Sequence, residues 1–409
     1  MTRALPDGRP ERAEVAIVGG GLAGTALATL LASAGHEVVV LERSSAWHWR
    51  AGGVFASPAA AAALRRVGLD DATLRTVARP IPAMRVETPR GTSFRLTYGT
   101  EFGGEPAVGF DRSRLDPAMV DVARAAGADL RVGATVTNVV LDTGELTWRP
   151  ADGQTRTLQA SVVVGADGSR SVVAAAAGVS RRVRMSPRVG LTYHLEDRDP
   201  RASLDARMRV FRDGYVGIAP VAGGRINIGI VLGPSWRGAL TRDGAESVSR
   251  RIVMATPAIR DDNGAWRYAQ RCDAIAGAWP LGHRVTRRAG RGWLLVGDAA
   301  GFLDPFTGEG IHRALLSAEL AARAIRATLA GRPEALDAYD RSMRRRFLAK
   351  DAVSWLVQSF LAQPALFEYA ARRVAARPAV RGTMGRVLGD LVPAGEALDP
   401  RYLAALLAP

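Results

Sequence analysis

The chain has 409 residues, 47% hydrophobic and 23% charged, which is ordinary for a globular protein and long enough for two intimately joined domains. A formal charge of +15 and a pI of about 11.1 admit an anionic partner, but the basic residues are scattered except at Arg344-Arg345-Arg346, and Lys350 is the only lysine. No nucleic-acid motif accompanies them, so nucleic-acid binding is not expected. The single cysteine, Cys272, excludes an internal disulfide and a cysteine-rich metal site; no apolar run of about 18 residues predicts a spanning helix, and the polar start, Met1 to Arg12, has no apolar signal core, so a cytoplasmic protein is expected.

Val15 to Val18 is an apolar run one strand long, and Gly19, Gly21 and Gly24 follow it as G-x-G-x-x-G. Leu22 to Ala34 is rich in Ala and Leu and lacks proline, so it reads as a helix; Gly35 ends it, and Glu37 to Leu41 is a second apolar strand. Glu42 closes that strand eighteen residues after Gly24. In this arrangement Gly19 allows the tight turn, Gly21 lets the backbone approach a pyrophosphate, and Gly24 lets helix and strand pack closely. The free N–H groups of the helix start face the phosphates, and Glu42 is placed to accept hydrogen bonds from an adenosine ribose. A glycine-rich turn in an ordinary α/β unit would not account for strand, helix, second strand and acid in register.

Arg43 to Gly53 is loop-like and carries Trp47, His48 and Trp49; its Arg50 is either a cofactor contact or a surface arginine. Pro58 to Val67 reads as a helix, and the alternation at Met84, Val86, Phe94 and Leu96 suggests strands of a second sheet. Phe110-Asp111-Arg112-Ser113-Arg114-Leu115-Asp116-Pro117 leads a helix to about Ala126, Leu130 to Val140 reads as a strand, and Leu158 to Gly165 as another strand running into Gly165-Ala166-Asp167-Gly168, with Val172 to Ala177 helical. Residues 187–232 turn β-rich: Val189 to Leu195, Arg207 to Phe211, Tyr215 to Val221 and Arg225 to Val231, with turns at Asp213-Gly214 and Gly223-Gly224. A helix from about Asp243 to Ala255 follows. An apolar strand then delivers Gly297-Asp298, and Pro305-Phe306-Thr307-Gly308-Glu309-Gly310 opens a helix at Ile311 that runs to about Ala330. An aspartate at a strand end can bind sugar hydroxyls, and Gly308 and Gly310 let backbone N–H groups approach a ring system. The tail, Asp337 to Pro409, is largely helical, interrupted at Pro364, Pro378 and Pro393. Its Trp355, Leu356, Phe360, Leu361, Leu366, Phe367 and Tyr369 suit a packed cap or a lipid-facing surface beside Arg344 to Arg346.

The three glycine motifs, in this order, resemble those of the p-hydroxybenzoate hydroxylase-like FAD enzymes, the group A flavoprotein monooxygenases. The resemblance spans roughly residues 13–330. It implies an α/β fold: a Rossmann-like FAD-binding domain of the glutathione reductase type (1–80, 110–186 and 285–335), interleaved with a β-sheet substrate domain (81–109 and 187–284), plus a helical C-terminal region (336–409). It implies FAD held by Gly19, Gly21, Leu22, Ala23, Gly24, Glu42 and Arg43 at the ADP part, with Arg50 and Arg112 as further contacts. Asp167 and Gly168 would lie at the pyrophosphate, and Gly297, Asp298, Pro305, Gly308, Gly310 and Ile311 at the ribityl chain and ring, with NAD(P)H as reductant.

Within that group, residues 297–311 resemble geranylgeranyl reductases most, and Tyr215-Val-Gly217-Ile-Ala219-Pro220 with Asn227-Ile-Gly229 is similar to their Y-x-W-x-F-P…G-x-G pocket motif. Gly217 replaces Trp, Ala219 replaces Phe, Val231 stands for the last Gly, and Ala51 stands for their cysteine. Halogenases share Asp304-Pro305 but use an active-site lysine, for which Lys350, far along a charged helix, is a poor candidate; where aromatic hydroxylases carry a histidine, this chain has Gly301. The loss of two rings points to a wide pocket walled by Tyr215, Gly217, Ala219 and Phe306, with Trp47, His48, Trp49 and His194 as further pocket candidates; no catalytic acid or base is assigned.

The expectation is an NAD(P)H-dependent monooxygenase that hydroxylates or epoxidises a hydrophobic polyketide, terpenoid or aromatic of secondary metabolism through a flavin hydroperoxide. The alternative is a reductase of isolated C=C bonds in a prenyl or lipid substrate, and the third reading is a structural FAD beside a lipophilic binding pocket. A small hydrophobic substrate is expected in each case, with a peripheral membrane or a carrier protein as the further partner class.

Overall fold

The computed structural model describes residues 11–98, 100, 104–151, 153–181, 188–200, 205–256 and 270–407; the polar leader up to residue 10 and the expected boundary at 186/187 lie outside them. Val15 to Val18 are buried on both faces because Glu11–Val18 lies inside a parallel sheet. Across that sheet the strands run Trp293–Leu295, Arg156–Gly165, Glu11–Val18, Val38–Glu42 and Asp129–Val132, all parallel, with Ala289–Gly290 antiparallel at one edge. Parallel strands covered on both sides read as continuous apolar runs, as Val38 to Leu41 and Val162 to Val164 do. The helix Leu22–Ala32 makes the first crossover and packs between the sheet and the helix Gly310–Leu329.

Leu130 to Val140 is two strands rather than one, Asp129–Val132 and Thr135–Val140, because Gly133 turns the chain at φ +70°. The second joins a hairpin with Glu145–Arg149 that continues the Arg156–Gly165 strand beyond the parallel layer.

The second sheet has seven strands, in the order Ala276–Ala278, Val189–Glu196, Arg225–Leu232, Gly214–Val221, Ala206–Phe211, Met84–Glu87 and Ser93–Leu96. Strand alternation splits its side chains between two cores. Leu191, Tyr193, Val216, Ile218, Ile226, Ile228 and Ile230 pack against Val248, Ile252 and Val253 of the helix Arg237–Met254. The opposite face places Tyr215, Ala219, Val231, Met208 and Val210 with Phe367, Ala371 and Val374 of a C-terminal helix. The helix expected from about Asp243 is preceded by a shorter one from Arg237, the two meeting at a kink at Gly244, whose φ is +76°. The first hairpin turns on Asp213 (φ +55°), with Gly214 already in the strand; the second turns on Gly223 and Gly224 as expected.

Pro364 and Pro378 each begin a helix, Pro364–Ala376 and Pro378–Leu388, after the long helix Ala335–Ala362. The first half of that long helix, through Leu336, Tyr339, Met343 and Phe347, packs into the core of the parallel sheet. Among the described residues no helix is long and apolar enough to cross a membrane.

Candidate cofactor and substrate site

The three glycine motifs, distant in sequence, meet at the ends of the parallel strands. Gly19 turns at φ +105°, and a methyl group there would sit 2.5 Å from the Ala166 carbonyl oxygen. A methyl on Gly24 would lie 2.0 Å from Gly19 O, so the helix can start this close to the strand only with glycine. Gly297 lies against Ala23, and its N–H donates to Ser317 Oγ at 2.9 Å. Leu22 and Ala23 form the first turn of a helix whose N-cap, Gly21, has no side chain to take the free N–H groups. That end is an anion site, as a pyrophosphate needs.

Glu42 accepts N–H bonds from Gly20 at 2.8 Å and Ser44 at 2.9 Å, and Arg50 lies 3.7 Å away. Burial pushes its carboxyl up, but these donors and Arg50 outweigh that and hold it below the ordinary range, so Glu42 stays ionised and able to accept ribose hydroxyls. Arg43 is exposed and close enough to Asp167 to favour its charged form. Asp167 Oδ2 accepts the Val172 N–H at 2.7 Å, whereas its Oδ1 is buried without a protein partner. Gly168 opens a short turn beside Gly297 to Ala300. Asp298 lies deep among protein atoms, yet its own surface is open where it faces the cleft. Its surroundings push its carboxyl up, opposed by Arg313 and Arg112. A buried orphan oxygen, an open carboxylate and uncapped N–H groups around one cleft fit the pyrophosphate, ribityl and ribose hydroxyls of FAD.

Arg112 places three of its five N–H donors within the protein: two bonds to Asp116, at 2.6 and 3.0 Å, and one to Gly53 O at 2.9 Å. Trp47 donates to the same Asp116 at 3.3 Å. Arg112 therefore braces the 43–53 loop over the cleft, a role its sequence position alone does not disclose. His48 is exposed.

Pro305 starts a single turn that ends at Gly308 (φ +69°), where the Phe55 ring packs. Asp304 caps that turn through the Phe306 N–H at 3.0 Å, accepts the Tyr215 hydroxyl at 2.5 Å, and pairs with Arg188 at 3.1 Å. Arg188 also donates to Gln358. Tyr215 and Phe306 meet edge-to-face at 5.1 Å. Burial raises the Asp304 carboxyl, and burial beside Asp304 raises the Tyr215 hydroxyl well above its ordinary value, so the phenol keeps its proton. The sequence pointed to Tyr215 and Phe306 but not to their link through Asp304, Arg188 and Gln358, residues far apart in the chain. An aspartate before Pro-x-x-Gly was the available signal for the cap.

On the other side of the turn, Glu309 and Gly310 begin the helix that buries Ile311. Lys350 is buried there, with its ammonium 3.2 Å from Glu309, 2.6 Å from Asp390 and 2.8 Å from the Val387 carbonyl. Ser57 and His312 also bond Asp390, at 2.6 and 3.0 Å. Burial raises Asp390, but His312 and Lys350 win and hold it well below the ordinary range. The only lysine is thus a fixed structural cation that ties the C-terminal helices to the Gly308–Gly310 turn.

The register of the second sheet puts Tyr215, Gly217 and Ala219 on one face, as the two-residue spacing predicts. Three cross-strand rows result: Tyr215 with Val231; Gly217 with Gly229, Thr192 and Met208; and Ala219 with Asn227 and His194. A methyl on Gly217 would sit in ordinary contact, 3.6 Å from Met208 and 3.8 Å from the Gly229 carbonyl oxygen, so a small side chain fits the middle row without displacing an atom. Trp49 donates to Thr192 O at 3.2 Å and packs edge-on against His194 at 4.4 Å.

A family model described as FAD binding domain matches residues 12–355. Menaquinone reductase of Mycolicibacterium smegmatis is 28% identical over 404 residues, covering 93% of this chain and 92% of that protein. Digeranylgeranylglycerophospholipid reductase of Methanoculleus marisnigri is 28% identical over 356 residues, 81% of each. Among solved structures, a flavoprotein/dehydrogenase from Cytophaga hutchinsonii superposes with a TM-score of 0.80 at 18% identity, covering 97% of this chain and 95% of that one.

Proposed function

The chain belongs to the FAD binding domain family and is an FAD-dependent oxidoreductase, and from that premise we propose that it reduces isolated C=C bonds in a prenyl or lipid substrate. The observation that carries the reading is the apolar, glycine-bearing face of the second sheet, joined to the Pro305–Gly308 turn by the Tyr215–Asp304 bond. The names of the two curated relatives, both reductases, support reduction over the oxygen chemistry first expected from the sequence. FAD supplies the two-electron chemistry, with NAD(P)H as the ultimate reductant. This chain's residues hold the cofactor by backbone N–H groups, Glu42 and Asp298, and line the space beside it with Phe306, Gly217, Gly229 and Met208. Tyr215 keeps its proton, donating it in a hydrogen bond to Asp304, because burial and the neighbouring carboxylate disfavour the phenolate.

The test is anaerobic turnover of a polyprenyl alcohol with NAD(P)H. A product that has gained two hydrogens supports the reading. Oxygen uptake matching NAD(P)H oxidation, with a product that has gained an oxygen atom, would instead establish the monooxygenase, the second reading, which the replacement of two rings by Gly217 and Ala219 favours.

A lipophilic substrate must be collected from a lipid phase or a carrier. Leu348, 72% exposed, projects beside the exposed Arg344, Arg345 and Arg346, and Leu366 and Tyr369 are exposed at the start of a following helix. This supports contact with an anionic lipid surface. Salt-sensitive sedimentation with vesicles containing phosphatidylglycerol, weakened by Leu348→Glu, is the expected result.

A further inference from the structure

The third row of this face sets two polar side chains, His194 and Asn227, side by side. His194 is buried, and its Nδ1 lies 2.6 Å from Asp273 Oδ2, while the other carboxylate oxygen accepts the His194 backbone N–H at 2.8 Å. A carboxylate only accepts, so Nδ1 carries the ring proton and Nε2 presents a lone pair. Burial lowers the pKa of His194 against the pull of Asp273, which keeps the ring neutral. Nε2 bonds no described residue. Next to it in the row, Asn227 accepts the Thr192 hydroxyl at 2.9 Å through Oδ1. Its amide nitrogen points toward the glycine row, 3.6 Å from where a Gly229 methyl would stand. Trp49, anchored to Thr192 O, covers the row.

An acceptor and a donor, side by side at the end of a glycine-bearing wall, match a group that both donates and accepts. We propose that His194 and Asn227 form a head-group subsite that binds a hydroxyl at the polar end of the substrate, Nε2 accepting its proton and the Asn227 amide donating to its oxygen. A carbonyl has no proton for Nε2, and a cation would face no free carboxylate, since Asp273 is committed to His194. The chain of that substrate would then lie along Gly229 and Gly217 toward Tyr215. The identity of that chain rests on the prenyl-reductase reading.

Asp273 makes the proposal testable in a way that a structural role would not. In Asp273→Asn the single carbonyl oxygen must take the backbone N–H, which cannot change its polarity. The new NH2 then faces Nδ1, so the ring proton moves to Nε2. The variant should turn the subsite from acceptor to donor. The full-length FAD-loaded protein is titrated with geranylgeraniol and with its aldehyde, geranylgeranial, while flavin absorbance and tryptophan fluorescence are followed. Wild type should bind the alcohol about tenfold more tightly than the aldehyde, Asp273→Asn should reverse the order, and His194→Phe, which keeps a ring, should abolish the preference. If both variants keep the wild-type preference, or wild type binds both probes alike, the subsite is wrong while the prenyl reading stands. If wild type binds neither probe, the prenyl reading fails and the subsite with it.

Discussion

The two sheets of this protein build their sites from different materials. At the ends of the parallel sheet, the proposed cofactor site is shaped by backbone: Gly19 against Ala166, Gly24 against Gly19, Gly297 against Ala23, and the uncapped N–H groups beginning at Gly21. On the second sheet it is done by side chains brought from remote positions, such as Tyr215 with Asp304 and Arg188, or His194 with Asp273 and Asn227. A backbone site needs particular residues at fixed local spacing and tolerates little change. A side-chain wall can be re-cut one residue at a time, and Gly217 and Ala219 are two such changes relative to the reductase-like pattern.

The Lys350 clamp between the C-terminal helices and the Gly308–Gly310 turn should be the costliest to break. Lys350→Met leaves Glu309 and Asp390 buried without their shared cation, with an expected loss of about 3–5 kcal/mol in denaturant unfolding. The pH dependence follows from Asp390, which is held below its ordinary 3.8. Its stabilisation is complete above that value and fades as pH falls below it. Wild type should therefore lose stability on acidification in that range, and Lys350→Met should lose less. An unchanged melting temperature in the variant would mean that the network does not couple the regions.

Gly24→Ala comes next, because its methyl meets a backbone carbonyl rather than a movable side chain. A loss of about 2–3 kcal/mol is expected, with FAD content falling in step. Retention of FAD at wild-type level would show that the turn can shift without cost.

Asp298→Ala probes cofactor contact without that strain. Its carboxylate opens onto the cleft, so FAD affinity should fall ten- to hundredfold, about 1.5–3 kcal/mol, while unfolding of the FAD-free protein changes little. The reverse pattern would make Asp298 a structural cap.

The smallest change in the fold, and the sharpest contrast between the sheets, is expected from Gly217→Trp. A Cβ there meets Met208 at 3.6 Å and the Gly229 carbonyl at 3.8 Å without a clash, so the indole is placed over the middle row and fills it. Flavin content should be unchanged and substrate-dependent NAD(P)H oxidation lost. Full turnover would move the substrate elsewhere, and loss of flavin as well would make this strand a support for the fold.

The sequence by itself determined the cofactor half. Gly19, Gly21, Gly24, Glu42, Asp167 and Asp298 act through local geometry: a turn, a helix start, the last residue of a strand. Local geometry is encoded in spacing, and so are the alternating strands that set Tyr215, Gly217 and Ala219 on one face. Only the tertiary structure decided what those side chains meet. That Asp304 would receive the Tyr215 hydroxyl, that Arg112 would brace the loop at Gly53, that Lys350 would be clamped between Glu309 and Asp390, and that Asp273 would orient His194 all depend on contacts between residues separated by about 40 to 89 positions. Most of these partners are brought together by the packing of whole elements. A pairing of that kind leaves no periodicity or spacing in the chain, because its partners are chosen by where the two sheets and the C-terminal helices come to rest.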